Sequence, residues 1–449
     1  MASANLSKTP SSAGNRKKFN FSFWVKGRDF VSDYMFFSAS GSTESAIIFD
    51  SSSRLEFYEY NGSSKTTKVT TKRLFRDSAA WYHIVISIDT TQSTASNRVK
   101  IYVNGTQETD LENETYGAQD FDSLFNNTTT QYIGSNASGG NFEGYMTHIH
   151  FNDGYTYDPS SFGETDTTSG IWKPKTAPSV TYGSNGYFLK FANSGAMGTD
   201  SSGNSNTYAV GGTITQSPDT PSNNFATLNA ANPGGGATTL SNGNLTYTRT
   251  DYSHNARSTL GFTKGKWYWE QKQSDNSTRI GLITSGFSNN LDTDSTDAYY
   301  GTYANGGVYI LLSNNSTSWQ RTNNDTSRSV DTYTSAISTS AGDILMGAVD
   351  ADAGKLWIGV NGTWMNSGDP AAGSNNQITF TNTTPDELQV YAGFGTSSSR
   401  TVNFNFGSGY FGTTAVASAN ADANGFGAFE YAVPSGYYAI CTKNIKEFG

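Results

Sequence analysis

Cleaving a glycosidic bond takes two carboxyl groups about 5–9.5 Å apart across the scissile bond. On a β-strand such a pair comes from positions i and i+2, which share a face. Glu56 and Glu59 are three apart and so fall on opposite faces, while Asp120 and Asp122 have the spacing but sit in a turn-like stretch without a third acid. No Glu-x-Asp-x-x-Glu run occurs, nor a Ser/His/Asp arrangement, nor a phosphate-cradling glycine loop. The expectation is a protein with no catalytic residues that is not an enzyme. His148 and His150 share a strand face and could ligate a metal together, but with no third ligand nearby they read more simply as surface or rim residues; His83 and His254 stand alone. Asp200, Ser202 and Asn204 offer hard oxygens at alternate positions around Gly203, which fits either a calcium site or an Asx-turn. Possible calcium aside, no cofactor is expected.

Sugar recognition uses an aromatic plate beside Asn or Asp acceptors. Residues 292–303 supply Asp292, Asp294, Asp297, Tyr299, Tyr300 and Tyr303, and residues 313–323 supply Trp319 and Arg321. Of these, Asp292, Asp294, Tyr299, Tyr300, Trp319 and Arg321 are the candidate glycan-binding residues. The competing reading has Tyr299, Tyr303 and Trp319 packing a core, where Trp267, Trp269 and Trp357 are also expected.

The elements that position these residues follow from composition and period. Aromatics make up 14% of the 449 residues, only 15% are charged, and there are 47 glycines. That is the composition of many short strands joined by turns, with few good helix formers. Phe19, Phe21, Phe23 and Val25 alternate with Asn20, Ser22 and Lys26, Trp24 being the exception, and mark a half-buried strand. Similar segments follow at 34–38, 46–49, 54–58, 81–89, 131–134, 144–152 and 186–191, and the pair 99–103 and 106–109 is joined through Asn104-Gly105. Residues 193–236, rich in Gly, Ser, Asn and Pro, read as a connector partly ordered by Phe225 and Leu228. A second strand-rich block spans 237–412, with segments at 266–271, 279–284, 307–313, 343–349, 355–360, 388–394 and 400–406 and a hairpin turn at Asn361-Gly362. Residues 413–449 form a C-terminal segment whose Tyr437 to Cys441 stretch reads as a final strand. No long stretch carries an i, i+3, i+4 apolar stripe. The fold class expected is all-β, with two tandem antiparallel β-sandwiches.

The net charge of −9 argues against a nucleic-acid partner, which needs a basic face. The densest basic stretch, 65–76, reads as the solvated face of a strand. Cys441 is the single cysteine, so no intramolecular disulfide is available, in keeping with a bacterial cytoplasm. Residues 1–18 lack the apolar core of a signal peptide, and no run approaches the ~18 apolar residues of a membrane span. A soluble chain without membrane insertion is expected.

Particular stretches carry a family likeness. Residues 1–192 contain Leu6-Ser7-Lys8-Thr9-Pro10, Phe75-Arg76-Asp77-Ser78-Ala79-Ala80-Trp81-Tyr82-His83, Asn97-Arg98-Val99-Lys100-Ile101-Tyr102-Val103-Asn104-Gly105 and Trp172-Lys173-Pro174-Lys175. These resemble laminin-G-like, concanavalin A-type jelly rolls of structural proteins from marine and cyanobacterial phages, as does Thr220-Pro221-Ser222-Asn223-Asn224-Phe225. Lys266-Trp267-Tyr268-Trp269-Glu270, Gly342-Asp343-Ile344 and Asp350-Ala351-Asp352-Ala353-Gly354-Lys355-Leu356-Trp357 resemble a SPRY-type sandwich. The resemblance implies a virion component: a tail-associated fibre or appendage that binds host-surface glycans. The alternative is a capsid decoration or head-fibre protein holding neighbouring subunits, and a polysaccharide-degrading enzyme is the remaining reading. Other virion proteins are the implied partners, with host polysaccharide a further one, and a homo-oligomer is expected. Relatives of this kind often run longer, past the point where this chain stops.

Overall fold

The computed structural model describes residues 4–29, 33–139, 141–167, 170–231, 238–250, 256–274, 278–284, 307–311, 318–322, 329–332, 339–380, 387–394 and 399–449. The chain is divided into two compact units, Met1–Gln216 and Ser217–Gly449. Each is nearly all β, and the single α-helix among the described residues is Thr442–Phe448.

In the first unit the period-two pattern becomes two antiparallel sheets. The eight-stranded sheet runs Leu111–Thr115, Lys65–Thr71, Leu55–Tyr60, Glu44–Phe49, Tyr34–Ser40, Gln131–Ile133, Asn5–Lys8 and Ala209–Gly211. The six-stranded sheet runs Tyr187–Leu189, Gly144–Asp153, Lys18–Gly27, Tyr82–Asp89, Val99–Val103 and Thr106–Gln107. Between them lies one core, to which Phe19, Phe21, Phe23, Ile84, Ile86 and Ile101 contribute from one sheet and Phe36, Ile47, Phe49 and Phe57 from the other. Aromatic pairs hold its centre, with Phe21 and Phe37 at 4.7 Å and Phe36 and Phe49 at 4.8 Å between ring centroids; such pairs contribute beyond the apolar area they bury.

The second unit repeats the plan. Its larger sheet runs Thr238–Ser241, Thr246–Arg249, Arg400–Asn405, Lys266–Gln273, Ile344–Asp350, Lys355–Val360 and Thr363–Trp364. The smaller runs Ala256–Arg257, Leu388–Phe394, Thr278–Thr284, Gly307–Leu311, Ser318–Thr322 and Ser329–Thr332. Trp267 and Trp269 enter the core with Ile280, Leu282, Val390 and Phe404. Trp357 is equally buried but lies on the outer face of its sheet, against Tyr268, Phe429 and Tyr437.

The stretch read as a connector is shared between the units. Tyr208 joins the first core and Ala209–Gly211 pairs with Asn5–Lys8, while Phe225, Ala226 and Leu228 are buried in the second unit. Phe225 and Leu228, expected to order this stretch in part, are among the side chains that bury. Asp200, Asn204 and Asn206 then tie its backbone down through local hydrogen bonds.

Residues 413–449 likewise form a third layer on the second sandwich. Glu270 is fully buried and faces away from the core. It accepts the Tyr431 N–H and Tyr268 hydroxyl on Oε1 (2.9 Å each), and the Glu430 N–H (2.9 Å) and Asn405 Nδ2 (3.1 Å) on Oε2. The final strand shrinks to Tyr438–Ala439, parallel to Lys266–Gln273, and the chain then turns helical.

Candidate functional site

Along Lys18–Gly27 the core takes every second residue, so Asn20, Ser22, Trp24 and Lys26 point outward; yet each is at most 2% exposed. Lys26 lies under the Tyr145 ring, and residues 154–167 and 170–182 fold back over the six-stranded sheet to meet His83, Ser87 and Asn152. Trp24, the residue that broke the sequence pattern, stacks on His83 at 4.7 Å, and His83 sits under Trp172. The Trp172 indole N–H donates to His83 Nδ1 at 3.0 Å. An indole nitrogen is a donor only, so Nδ1 must accept and the ring proton lies on Nε2, which donates to Ser22 Oγ at 2.9 Å. Burial, and then the neighbouring His148, push the His83 pKa down to about 3.

At the open end of this cover lies a polar cleft of about 230 Å³. Outward-facing Ser87 and Asp89 on Tyr82–Asp89, and Lys100 and Tyr102 on Val99–Val103, form its floor; Thr156, Tyr157 and Asp158 form one wall, and Gln92 and Asn97 the other. Burial opposes ionisation of Asp89. Hydrogen bonds from Thr91 Oγ1 (2.5 Å), Gln92 Nε2 (2.9 Å) and Thr91 N, with Lys18 nearby, nevertheless hold its pKa below the ordinary value. Tyr102 is half-buried, and desolvation and then Asp158 raise its pKa. Asp158 precedes the short 3-10 turn Pro159–Ser161 without capping it through its side chain. The exposed Tyr155 stacks on Tyr157, widening the aromatic wall. Two aromatic rings, two carboxylates, one ammonium and two amides thus converge, an arrangement suited to holding a polyhydroxylated ligand.

None of these cleft residues was singled out from the sequence. Ser87, Asp89, Lys100 and Tyr102 fall within the strand segments 81–89 and 99–103, alternating with core positions, and only the return of residues 154–158 turns their face into a cleft. The Asn97–Gly105 stretch that carried the family likeness was the one usable signal.

The expected site residues are distributed otherwise. Asp292, Asp294, Asp297, Tyr299, Tyr300 and Tyr303 lie outside the described residues, as does His254. Trp319 and Arg321 lie on a strand, Ser318–Thr322, between Gly307–Leu311 and Ser329–Thr332, and not in a loop. Asp200, Ser202 and Asn204 have the geometry of the turn. Asp200 Oδ1 accepts Phe188 N (2.9 Å) and Ser202 N (2.8 Å), and Oδ2 accepts Ser202 Oγ and Asn206 N (2.8 Å each). The Asn204 amide points to the Gly183 and Gly186 carbonyls.

His148 sits at a β-bulge with φ of 47°. Its Nδ1 lies 3.0 Å from Thr147 Oγ1, and His150 Nδ1 lies 2.9 Å from the Tyr182 hydroxyl. His83 does not stand alone: burial comes first in lowering the His150 pKa, followed by the charges of His148 and His83. Among the described residues no three His, Cys, Asp or Glu side chains gather as metal ligands.

Glu56 and Glu59 do face opposite ways. Glu56 meets Lys65 and Lys68 outside, while Glu59 is buried with Ser45 and Ser123. A further acidic run escaped the sequence reading: Glu108, Asp110 and Glu112. These pair with Arg73 (2.7 Å), Lys72 (2.7 Å) and Arg54 (3.2 Å), which also accounts for much of the basic stretch 65–76.

The fold defines a two-unit, nearly all-β sandwich protein. Residues 2–154 match the family model described as the concanavalin A-like lectin/glucanases superfamily. Among solved structures the chain is similar to the SPRY domain of human HERC1, at 16% identity, over 37% of this chain and 91% of that one, with a TM-score of 0.26. It is similar to domains LG4-5 of the mouse laminin alpha1 chain at 10% identity, over 98% of this chain and 84% of that one, with a TM-score of 0.29. A native heptameric SAP-like pentraxin from Limulus polyphemus matches at 16% identity, over 34% and 72%, with a TM-score of 0.25. No curated protein matches the chain.

Proposed function

We propose that this chain is a non-enzymatic structural protein of a bacteriophage particle, a tail-associated fibre or appendage whose first sandwich binds host-surface glycans. The observation that carries the binding part is the cleft, where Tyr102 and Tyr157 stand beside Asp89, Asp158, Lys100, Gln92 and Asn97. The matched family description joins lectins and glucanases, proteins that engage carbohydrate. The virion part rests on the motif likeness of residues 1–192 and of the stretch around Thr220.

A glycan array probed with the full chain tests the binding: signal is expected for the wild type and is lost in Lys100→Ala and Tyr102→Ala. Imaging of purified particles tests the location. Density at the tail supports an appendage, and copies matching the capsid protein in number favour shell decoration instead. Turnover of host capsule by the purified chain would overturn the non-enzymatic reading.

A further inference from the structure

We infer that the cleft on the outer face of the six-stranded sheet takes a single neutral pyranose unit and discriminates against uronate or sulfated sugars. This rests on the glycan-binding reading above and narrows it.

Size is the first argument. A volume of about 230 Å³ falls below the ~300–1,000 Å³ of pockets that enclose a drug-sized ligand. One ring fits, with the remainder of a chain left outside.

Charge is the second. The lining holds two carboxylates, Asp89 and Asp158, and one ammonium, Lys100, and the Lys18 ammonium stands 3.8 Å from Asp89. Asp89 already accepts hydrogen bonds from Thr91 and Gln92, so its role is to hold that wall. The Asp158 carboxylate accepts no hydrogen bond among the described residues, its turn being uncapped by the side chain. It is an acceptor for a sugar hydroxyl and a repulsive neighbour for a sugar anion. Lys100 supplies the donor, and with Lys18 set against Asp89 the carboxylate left to face the ligand is Asp158.

The third argument is unsatisfied hydrogen-bonding capacity in the sheet beneath. Asn20 pairs across the strands with Ser87, which lines the cleft, and with Asn152. Asn20 is fully buried, yet among the described residues neither its Nδ2 nor its Oδ1 has a hydrogen-bond partner, and Asn152 Oδ1 is in the same condition. Buried amides of this kind need water or a ligand hydroxyl network. A sugar hydroxyl arriving at Ser87 extends such a network. The stacked Tyr155 and Tyr157 and the half-buried Tyr102 give the apolar C–H face of a pyranose a surface to lie on.

The test uses the full chain in saturation-transfer NMR and calorimetric titration. Its probes are methyl glycosides of glucose, galactose and mannose, methyl glycosides of glucuronic and galacturonic acid, and the tetrasaccharide of whichever neutral sugar binds. At least one neutral glycoside is expected to bind, with the matching uronate weaker by about tenfold or more, since like charges placed together in an interface are strongly disfavoured. Asp158→Lys should reverse that order and Asp158→Asn should narrow it. Asp158 is exposed, so neither change disturbs the core. The tetrasaccharide should bind within about threefold of the monomer, because added rings lie outside the cleft. Uronates binding as tightly as their neutral partners, or affinity that climbs steeply with chain length, would overturn the inference while leaving glycan binding intact. If no glycoside of either kind binds, or if no cleft variant alters binding, the glycan reading of this cleft falls and the inference with it.

Discussion

Trp172 and His83 stand 89 residues apart in sequence, and their side chains meet at 3.0 Å with the indole N–H on the imidazole Nδ1. That bond latches the cover segment onto the six-stranded sheet and settles the tautomer of His83. Trp172→Phe keeps most of the ring but leaves Nδ1 buried without a donor, a loss of about 1–3 kcal/mol. Trp172→Ala also removes the contact over Gly163 and Gly105 and should cost more, about 3–5 kcal/mol. Thermal unfolding of the two variants beside the wild type measures the difference; equal losses would show that packing alone matters.

Acid should weaken the first unit through its histidines. Burial lowers His83 to about 3 and His148 to about 4, and places His150 well below its ordinary value. With folded-state values below the unfolded ~6.5, the unfolded chain binds more protons once the pH falls past that point. The stability these groups contribute is therefore complete above pH ~6.5 and is lost towards pH 4, by up to ~1.4 kcal/mol per pH unit for each histidine. Glu59 opposes this: burial raises it to about 7, so between there and its unfolded value the folded state holds the extra proton and gains as pH falls. The net expectation is a loss equivalent to about two protons. In a ring-proton NMR titration, the three histidines should keep their neutral shifts from pH 8 down to pH 5; a midpoint near 6.5 for any of them would contradict the assignment.

Glu270 holds residues 430–431 through two backbone N–H groups. Burial raises its pKa despite those bonds. Glu270→Gln replaces one acceptor oxygen by an NH₂ that faces an N–H, with an expected loss of about 1–3 kcal/mol. Limited proteolysis should then cut within residues 413–436 before the rest of the second unit, whereas an unchanged cleavage pattern would mean that the buried aromatics hold this layer unaided.

Asn104 and Asn361 occupy matching positions in the two units. Asn104 Oδ1 accepts His83 N at 2.8 Å, and Asn361 Oδ1 accepts Ile344 N at 2.9 Å. Both have positive φ in an Asn-Gly hairpin, and an aromatic ring covers each glycine, Trp172 over Gly105 and Tyr431 over Gly362. Asn104→Ala and Asn361→Ala should each destabilise their own unit by a similar amount, about 1–2 kcal/mol, readable as separate shifts in a two-transition calorimetric trace.

The Asp200 carboxylate already accepts four donors within 2.9 Å. A chelator should therefore leave the melting temperature unchanged, while Asp200→Ala lowers it. Stabilisation on adding calcium would mean that the ion displaces those donors.

What could be read from the chain alone was whatever is local. Alternation at Phe19, Phe21 and Phe23 places aromatics on one side of a strand because successive side chains point to opposite faces. The Asn104-Gly105 and Asn361-Gly362 turns follow from the positive φ such hairpins require. Both features, and the two sandwiches they imply, depend on neighbours a few residues apart. The outer layers do not. Trp24 and Tyr268 have outward positions by their period, and only the return of Trp172 and of Phe429 shows that those positions are buried. The cleft belongs to the same class: nothing local marks Ser87, Tyr102 or Asp158, and they form a site because a segment more than fifty residues downstream closes over the sheet. Which face of a strand meets water is decided by what the rest of the chain lays upon it, and no local period carries that information.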